Sequence, residues 1–419
     1  MKILVIGSGL LGVTTAYFLA RYGQEVMVLD RAEGVGVETS FANGGMLTPS
    51  QADPWNAPGM LWKILSWIGK DDAPLLLRPK ALPSLSLWSM QFLRNSSQTR
   101  YMDNTLRNVR LANYSLRVLQ SLREETEIRY EQSTRGTMKV FRDQRSIDRS
   151  AALAEKLVPH GVVHRVVDGA GAVKIEPALA PVSEKLVGGI HYPNDEAGDA
   201  YKFCRALSDR AAELGTEFLF YTEVLGFQHD GRRVLSVDLS HKRLEADVFV
   251  VAAGSYSPLL VKALGISLPI SPVKGYSITL PLAKHKNRQR IPIVDDGLHA
   301  AVTPLGDRIR VAGTAEFTGY DKALREERIQ NLFRLLRQVF PDYAADVDDS
   351  QTERWTGLRP MTVDGVPVLG RSSYENLYFN TGHGHLGWTM AAGSGKAVAD
   401  LIVGDQVKID LADYRFDRF

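Results

Sequence analysis

Four features are scarce in this 419-residue sequence, and each scarcity closes off a class of protein. Cysteine occurs once, as Cys204, so neither a disulfide framework nor a thiolate metal site can form within one chain. A reducing, cytoplasmic compartment fits that composition. The nine histidines include no H-E-x-x-H pattern, and no metal is expected. Charge of one sign is not concentrated: 50 basic against 48 acidic residues leave a net +2 with no Lys/Arg block, so nucleic acid is not an expected partner. Long apolar runs are missing as well. "ILVIG", preceded only by Met1 and Lys2, is far too short for a signal-peptide core or a membrane span, and reads as a buried strand.

What is present begins at that strand. Residues 2 to 31 run from an apolar strand through a Gly-rich turn into an Ala-containing helix ended by Gly23, then into the β-branched strand "EVMVLD". This is one βαβ unit. Gly7, Gly9 and Gly12 match G-x-G-x-x-G: the first permits the tight turn, the second admits a pyrophosphate to the backbone, and the third lets helix and strand pack closely. Asp30 closes the second strand at the spacing of a ribose-binding acid, and the helix N-terminus offers amides to phosphates. A dinucleotide follows from this context, with NAD(P) and FAD both open. Next, "ETSFANGGMLTP" holds Ser40, Asn43, Gly44 and Gly45, small and turn-prone residues suited to backbone lying against a ligand or to an ordinary loop.

Residues 55 to 94 are rich in Trp, Leu and Pro. Lys63, Lys70, Asp71 and Asp72 interrupt any spanning segment, while Trp55, Trp62 and Trp67 suit an interfacial surface, a lid or the core of a second domain. A long helix over 98 to 128, the strand "GTMKVFRD" and a helix at 146 to 160 make an excursion from the first domain. The pattern then reverts: "DAYKFCRALSDRAAELG" is an amphipathic helix and "EADVFVVAAGSYS" a buried strand ending on small residues. Alternating strands fill 270 to 316, the pattern of an antiparallel sheet with one ligand-facing side, and a helix follows near 323 to 339. On that sheet Tyr276 reads as a substrate contact or as core, and Arg310 as added positive charge or, on an alternating strand, as a solvated residue.

The last piece, "NLYFNTGHGHLGWTMAAGSGKAVADLIVGD", has a strand, a Gly-rich loop and a helix starting near Thr389. Positive potential at that helix start suits the charge a flavin acquires on reduction, and nicotinamide needs nothing comparable. His383 and His385 flank Gly384 in this loop, as proton acceptors or as packing. Just upstream, "WTGLRPMTVDGVPVLG" places a lone guanidinium, Arg359, in an apolar run whose Gly and Pro fix the backbone, so an anion should face it.

Nearly the whole chain resembles the FAD-containing D-amino acid dehydrogenases of the small-subunit type, within the D-amino acid oxidase, glycine oxidase and sarcosine oxidase superfamily. The resemblance is carried in order by "GSGLLGV", "ETSFANGGMLTP", "ADPWNAPG", "YPNDEAGD", "GSYS", "KGYSITLP", "RIRVAGTAEF", "WTGLRPMTVDGVPVLGR" and "NTGHGHLGWTMAAGSG". It implies an α/β (α+β overall) protein: a Rossmann-like FAD-binding domain with an inserted mixed or antiparallel-sheet substrate domain. Expected boundaries are 1–50, 190–268 and 352–419 for the first and 51–189 and 269–351 for the second. It further implies oxidative deamination of D-amino acids by hydride transfer from Cα to flavin N5, with D-alanine and other small or hydrophobic substrates as the default. Electrons would pass to a quinone or another non-oxygen acceptor, with a peripheral contact on the inner face of the cytoplasmic membrane.

The same resemblance makes Arg359 the bidentate carboxylate clamp, and Tyr276 and His385, on the readings given above, are the other catalytic candidates. It places FAD, bound noncovalently because no cysteine lies near the "GLRP" segment, against five groups of residues. These are Gly7, Ser8, Gly9, Leu10, Leu11 and Gly12; Asp30 and Arg31; Ser40, Asn43, Gly44, Gly45, Met46 and Leu47; Val224, Ala253 and Gly254; and Gly384, Leu386, Gly387, Trp388 and Thr389. Two other readings fit these residues: a flavin amine oxidase that uses oxygen on glycine, sarcosine or a D-proline derivative, and a redox sensor without turnover.

Overall fold

The computed structural model describes residues 1–60, 62, 75–78, 82–282 and 288–419. Lys63, Trp67, Lys70, Asp71 and Asp72 lie outside the described residues.

Two sheets organise the chain. The first has six strands in the order Val368–Arg371, Leu377–Thr381, Val248–Val251, Lys2–Ile6, Glu25–Leu29 and Glu217–Leu219. All neighbours pair in parallel except the first two, which are antiparallel. Its central strands are continuous apolar runs because both faces are covered. The Leu10–Arg21 helix packs against helices Gly387–Val403 and Ala200–Glu213 on one face. Ile3, Val5, Val13, Leu19 and Val398 form one fully buried cluster there.

The second sheet has nine strands and is mixed. Its main path runs Glu353–Thr362, Ile270–Pro281, Arg308–Phe317, Ala300–Leu305, Ile293–Asp295, Thr137–Phe141, Gly188–Tyr192 and Arg165–Asp168, and Leu75–Leu77 adds to Arg308–Phe317 in parallel. The amphipathic Glu326–Val339 helix covers one face, where Ile278, Val302, Val311, Ile329, Leu332 and Leu336 share a core. Loop 42–44 is tied to this sheet by Ser277 Oγ donating to the Ala42 carbonyl (2.7 Å), Arg310 to that of Asn43 (3.3 Å) and Thr303 Oγ1 to that of Gly44 (2.7 Å).

Strand pairing moves the expected domain boundaries. Glu353–Thr362, placed by its sequence neighbours with the nucleotide domain, hydrogen-bonds along its whole length to Ile270–Pro281 and is the edge of the second sheet. An edge tolerates Pro360, which sits opposite Pro272 and lacks a donor for any further strand. Gly188–Tyr192 also joins the second sheet, by pairing with Thr137–Phe141. Conversely, the Gln98–Thr126 helix buries Val109, Leu111, Ala112 and Leu119 in the core of the first domain, against the Gly387–Val403 helix.

Candidate active site

A cleft of about 1170 Å³ opens where Lys2–Ile6 ends and extends beneath the second sheet. Ligands of open α/β sheets collect at this position, beyond the carboxyl ends of the strands. At its first end the backbone does the shaping. Gly7 takes φ +109°, and a side chain there would stand 2.6 Å from the Ala252 carbonyl oxygen. A Cβ on Gly12 would overlap the Gly7 carbonyl, so the Leu10–Arg21 helix can leave the strand only with glycine at that position. That helix has no side-chain cap at Gly9 and no acidic residue in its first turn. The same holds for the Gly387–Val403 helix, whose start also borders the cleft. Two positive helix ends therefore face one cavity with no protein anion on them.

Asp30 and Arg31 line this end. The Asp30 carboxylate accepts from the Ser8 amide and hydroxyl (both 2.7 Å) and from the Ala32 amide (2.9 Å), which fixes its orientation. Arg31 lies over the Tyr256 ring at 3.8 Å. Ser40 Oγ accepts from the Leu10 amide (3.1 Å), and Asn43 Oδ1 from that of Gly45 (2.9 Å). Gly9, Leu10, Leu11, Ser40, Asn43, Gly44, Gly45 and Met46 border the cleft, as do Val224, Ala253 and Gly254 and, across it, Gly384, Leu386, Gly387, Trp388 and Thr389.

Three expected contacts are not on the wall. Ser8 is fully buried on Asp30, Gly12 is closed in by Gly7, and Leu47 pairs with Glu196 in the core.

At the other end side chains dominate. Arg359 pairs with Val273 across the sheet edge, and its guanidinium lies in the space that a side chain on Gly275 would fill. Cζ stands 5.6 Å from the centre of the Trp55 ring. Nη1 is buried without a hydrogen-bond partner, and burial alone lowers the pKa to about 10, so the group stays cationic at neutral pH. A buried cation with no counter-ion is costly unless a ligand supplies one. The Trp55 ring stacks on His385, with centroids 5.3 Å apart and planes at 25°. Burial pushes His385 down to about 4, with nearby Asp53 opposing and Arg359 adding to the shift. His383, down to about 3 by burial, shares a hydrogen bond with Ser394 Oγ (2.9 Å). Both imidazoles are neutral at pH 7.

Two expectations change here. Tyr276 borders the cleft, but its ring is 1% exposed in the core beneath Glu326–Val339 and its hydroxyl donates to Glu316 (2.7 Å). The cause is a register shift between Gly275 and Tyr276, which upsets the simple alternation of faces. Arg310 is not solvated: at 2% exposure it donates to Thr279 Oγ1 (3.0 Å) and lies 3.6 Å from Asp199. Sequence reading also missed Asp53 and Gly275 as wall residues. Gly275 shows its role only through its cross-strand pair with Gly357, which leaves room beside the arginine, and nothing local in the sequence marks either wall residue.

These residues fit a flavin dinucleotide: a glycine cradle, two helix starts with no acidic residue in their first turns and, further along one continuous cleft, a guanidinium whose Nη1 is buried without a hydrogen-bond partner among the described residues. Residues 2–401 match the family described as FAD dependent oxidoreductase (DAO), and the chain belongs to that family of FAD-dependent enzymes. Among its relatives, the D-amino acid dehydrogenases of Granulibacter bethesdensis and Agrobacterium fabrum are 45% and 43% identical over the full length of both chains. The crystal structure of glycine oxidase from Geobacillus kaustophilus, 21% identical, matches all of this chain and 99% of its own with a TM-score of 0.78.

Proposed function

We propose that the protein oxidises D-amino acids to 2-oxo acids and ammonia and passes the electrons to a quinone or another non-oxygen acceptor. The observation that carries this reading is Nη1 of Arg359, buried and without a hydrogen-bond partner among the described residues, in the wall of the nucleotide cleft. A planar guanidinium recognises a carboxylate through two parallel hydrogen bonds and so fixes the Cα orientation, which a lysine would not. Bound FAD supplies the two-electron acceptor for the Cα hydrogen, after which water converts the imino acid to product. Trp55 and neutral His385 wall the substrate and exclude water. With its pKa near 4, His385 serves better as a positioning wall than as a base at neutral pH. The only thiol, Cys204, is buried away from the cleft, which supports noncovalent FAD.

The acceptor side has its own support. On the Leu82–Arg94 helix Trp88 and Phe92 line the cleft, whereas Leu87 and Met90 are 62% and 63% exposed. Among the described residues no helix is long and apolar enough to cross a membrane. An apolar outer face beside the cleft suits a peripheral contact with a lipid surface. Loss of Leu87 and Met90 to serine should then weaken flotation with anionic liposomes, and unchanged flotation removes the contact.

The decisive experiment for the main reading is anaerobic. The flavin bands of the purified protein should bleach with D-alanine and not with L-alanine, and should recover slowly in air. Rapid recovery with hydrogen peroxide favours an oxidase, and a spectrum that no amino acid changes sinks the proposal.

A further inference from the structure

The strand that carries Arg359, Glu353–Thr362, ends in a turn over residues 363–366. Within it Asp364 Oδ1 accepts from the Val366 amide (3.1 Å), and Thr362 Oγ1 donates to the Val366 carbonyl (2.9 Å). Arg418 grips this turn. Its Nε donates to Asp364 Oδ2 (2.8 Å), and its Nη2 to Asp364 Oδ1 (3.1 Å) and to the Val366 carbonyl (2.6 Å). The two side chains are only 11% and 8% exposed, so this fork is shielded from water and fixes the turn in both distance and plane.

The segment 53–56 is seated on the same turn. Asn56, fully buried, donates through Nδ2 to the Val363 carbonyl (3.1 Å), and a side chain on Gly365, at φ +74°, would stand 2.4 Å from Pro54 Cβ. Trp55 is thus bracketed by two residues that rest on the turn. The Gln98–Thr126 helix ties the pieces together: Tyr101 Oη donates to Asp53 Oδ2 (2.9 Å) and Asn108 Nδ2 to the Gly365 carbonyl (3.0 Å). Trp55 in turn stacks on His385 and lies 5.6 Å from Arg359 Cζ. One turn therefore ends the strand of the guanidinium and seats the aromatic wall beside it, although neither Asp364 nor Arg418 borders the cleft.

Resting on the D-amino acid reading above, we propose that Arg418 is a positioning residue of the active site. By pairing with Asp364 it fixes the turn that seats Trp55, and so sets the wall beside the carboxylate clamp.

The test is a double-mutant cycle on the FAD-loaded full chain, with D-alanine and an artificial acceptor. Arg418→Gln should raise KM about tenfold with kcat and flavin content little changed, because the wall orients substrate in the ground and transition states alike. In a Trp55→Ala background the same substitution should add little, since the wall it sets is gone. Arg415→Ala, which removes only an exposed pair with Asp417, should leave wild-type kinetics. If Arg418→Gln does not fold, Arg418→Lys, which keeps the charge and loses the fork, decides through the same cycle by a severalfold rise. D-alanine turnover with KM unmoved, or a rise as large without Trp55 as with it, overturns this inference only. Flavin bleached by no D-amino acid overturns it together with the reading it rests on.

Discussion

The two ends of the cleft recognise by different means. At the Gly7 end the polar groups are satisfied within the protein: Asp30 holds Ser8 and Ala32, and Ser40 holds the Leu10 amide. What remains for a ligand is backbone and helix dipole. At the Arg359 end the backbone is ordinary edge strand, and the side chains carry unmet charge. Backbone recognition depends on the absence of side chains, so any added atom disrupts it. Side-chain recognition depends on one group, so its loss leaves the fold in place.

Substitutions at the two ends should separate those effects. The largest is expected from Gly12→Ala, whose Cβ overlaps the Gly7 carbonyl and forces helix and strand apart. It should cost about 3 kcal/mol or more, seen as a fall in Tm together with lost flavin. A wild-type Tm with full flavin would show that the close packing is not needed.

Arg359→Ala should keep both flavin and Tm, and raise KM by the equivalent of about 1.5–3 kcal/mol, the range of a charge-assisted hydrogen bond. Gly275→Ala sharpens the contrast, because its Cβ enters the space of the guanidinium without removing its charge. It should reproduce the Arg359→Ala loss in kcat/KM with the arginine still present, and wild-type kinetics would mean that the guanidinium has room elsewhere.

The smallest effect is on pH dependence. His383 and His385 are held near 3 and 4 by burial, while in the unfolded chain each titrates near 6.5. Between those values the unfolded state binds more protons, so their contribution to stability is full above about 6.5 and is lost as pH falls toward 4. His383→Gln should flatten the fall of Tm across that window, and an unchanged slope would assign it to other groups.

The same contrast explains what was legible in the sequence. The Gly7 end could be read because its signals are local: three glycines, a strand, a helix and Asp30 lie within one βαβ unit. Arg359 stood out through its apolar, turn-rich surroundings. His385 was named as a catalytic candidate and Trp55 as an interfacial, lid or core residue, but their meeting with Arg359, like that of Gly275, arises only through tertiary packing, and the partner of Asp53, Tyr101, lies on a distant helix. Glu353–Thr362 looked unlike a strand because Gly357 and Pro360 weaken the local signal, yet an edge position accepts both. Tyr276 was ambiguous for another reason: face assignment by alternation assumes regular pairing, and the irregularity beside Gly275 breaks that assumption.

The strand order of the first sheet also bears on how the molecule is made. Lys2–Ile6 leaves the ribosome well before its neighbour Val248–Val251 and the Gly387–Val403 helix that completes the cleft. The nascent chain carries its glycine cradle for most of synthesis without the opposite wall. Non-local closure of this kind is slow and leaves apolar edges unpaired meanwhile. Truncation before the Gly387–Val403 helix should therefore leave a chain that cannot take up cofactor even though its nucleotide fingerprint is intact.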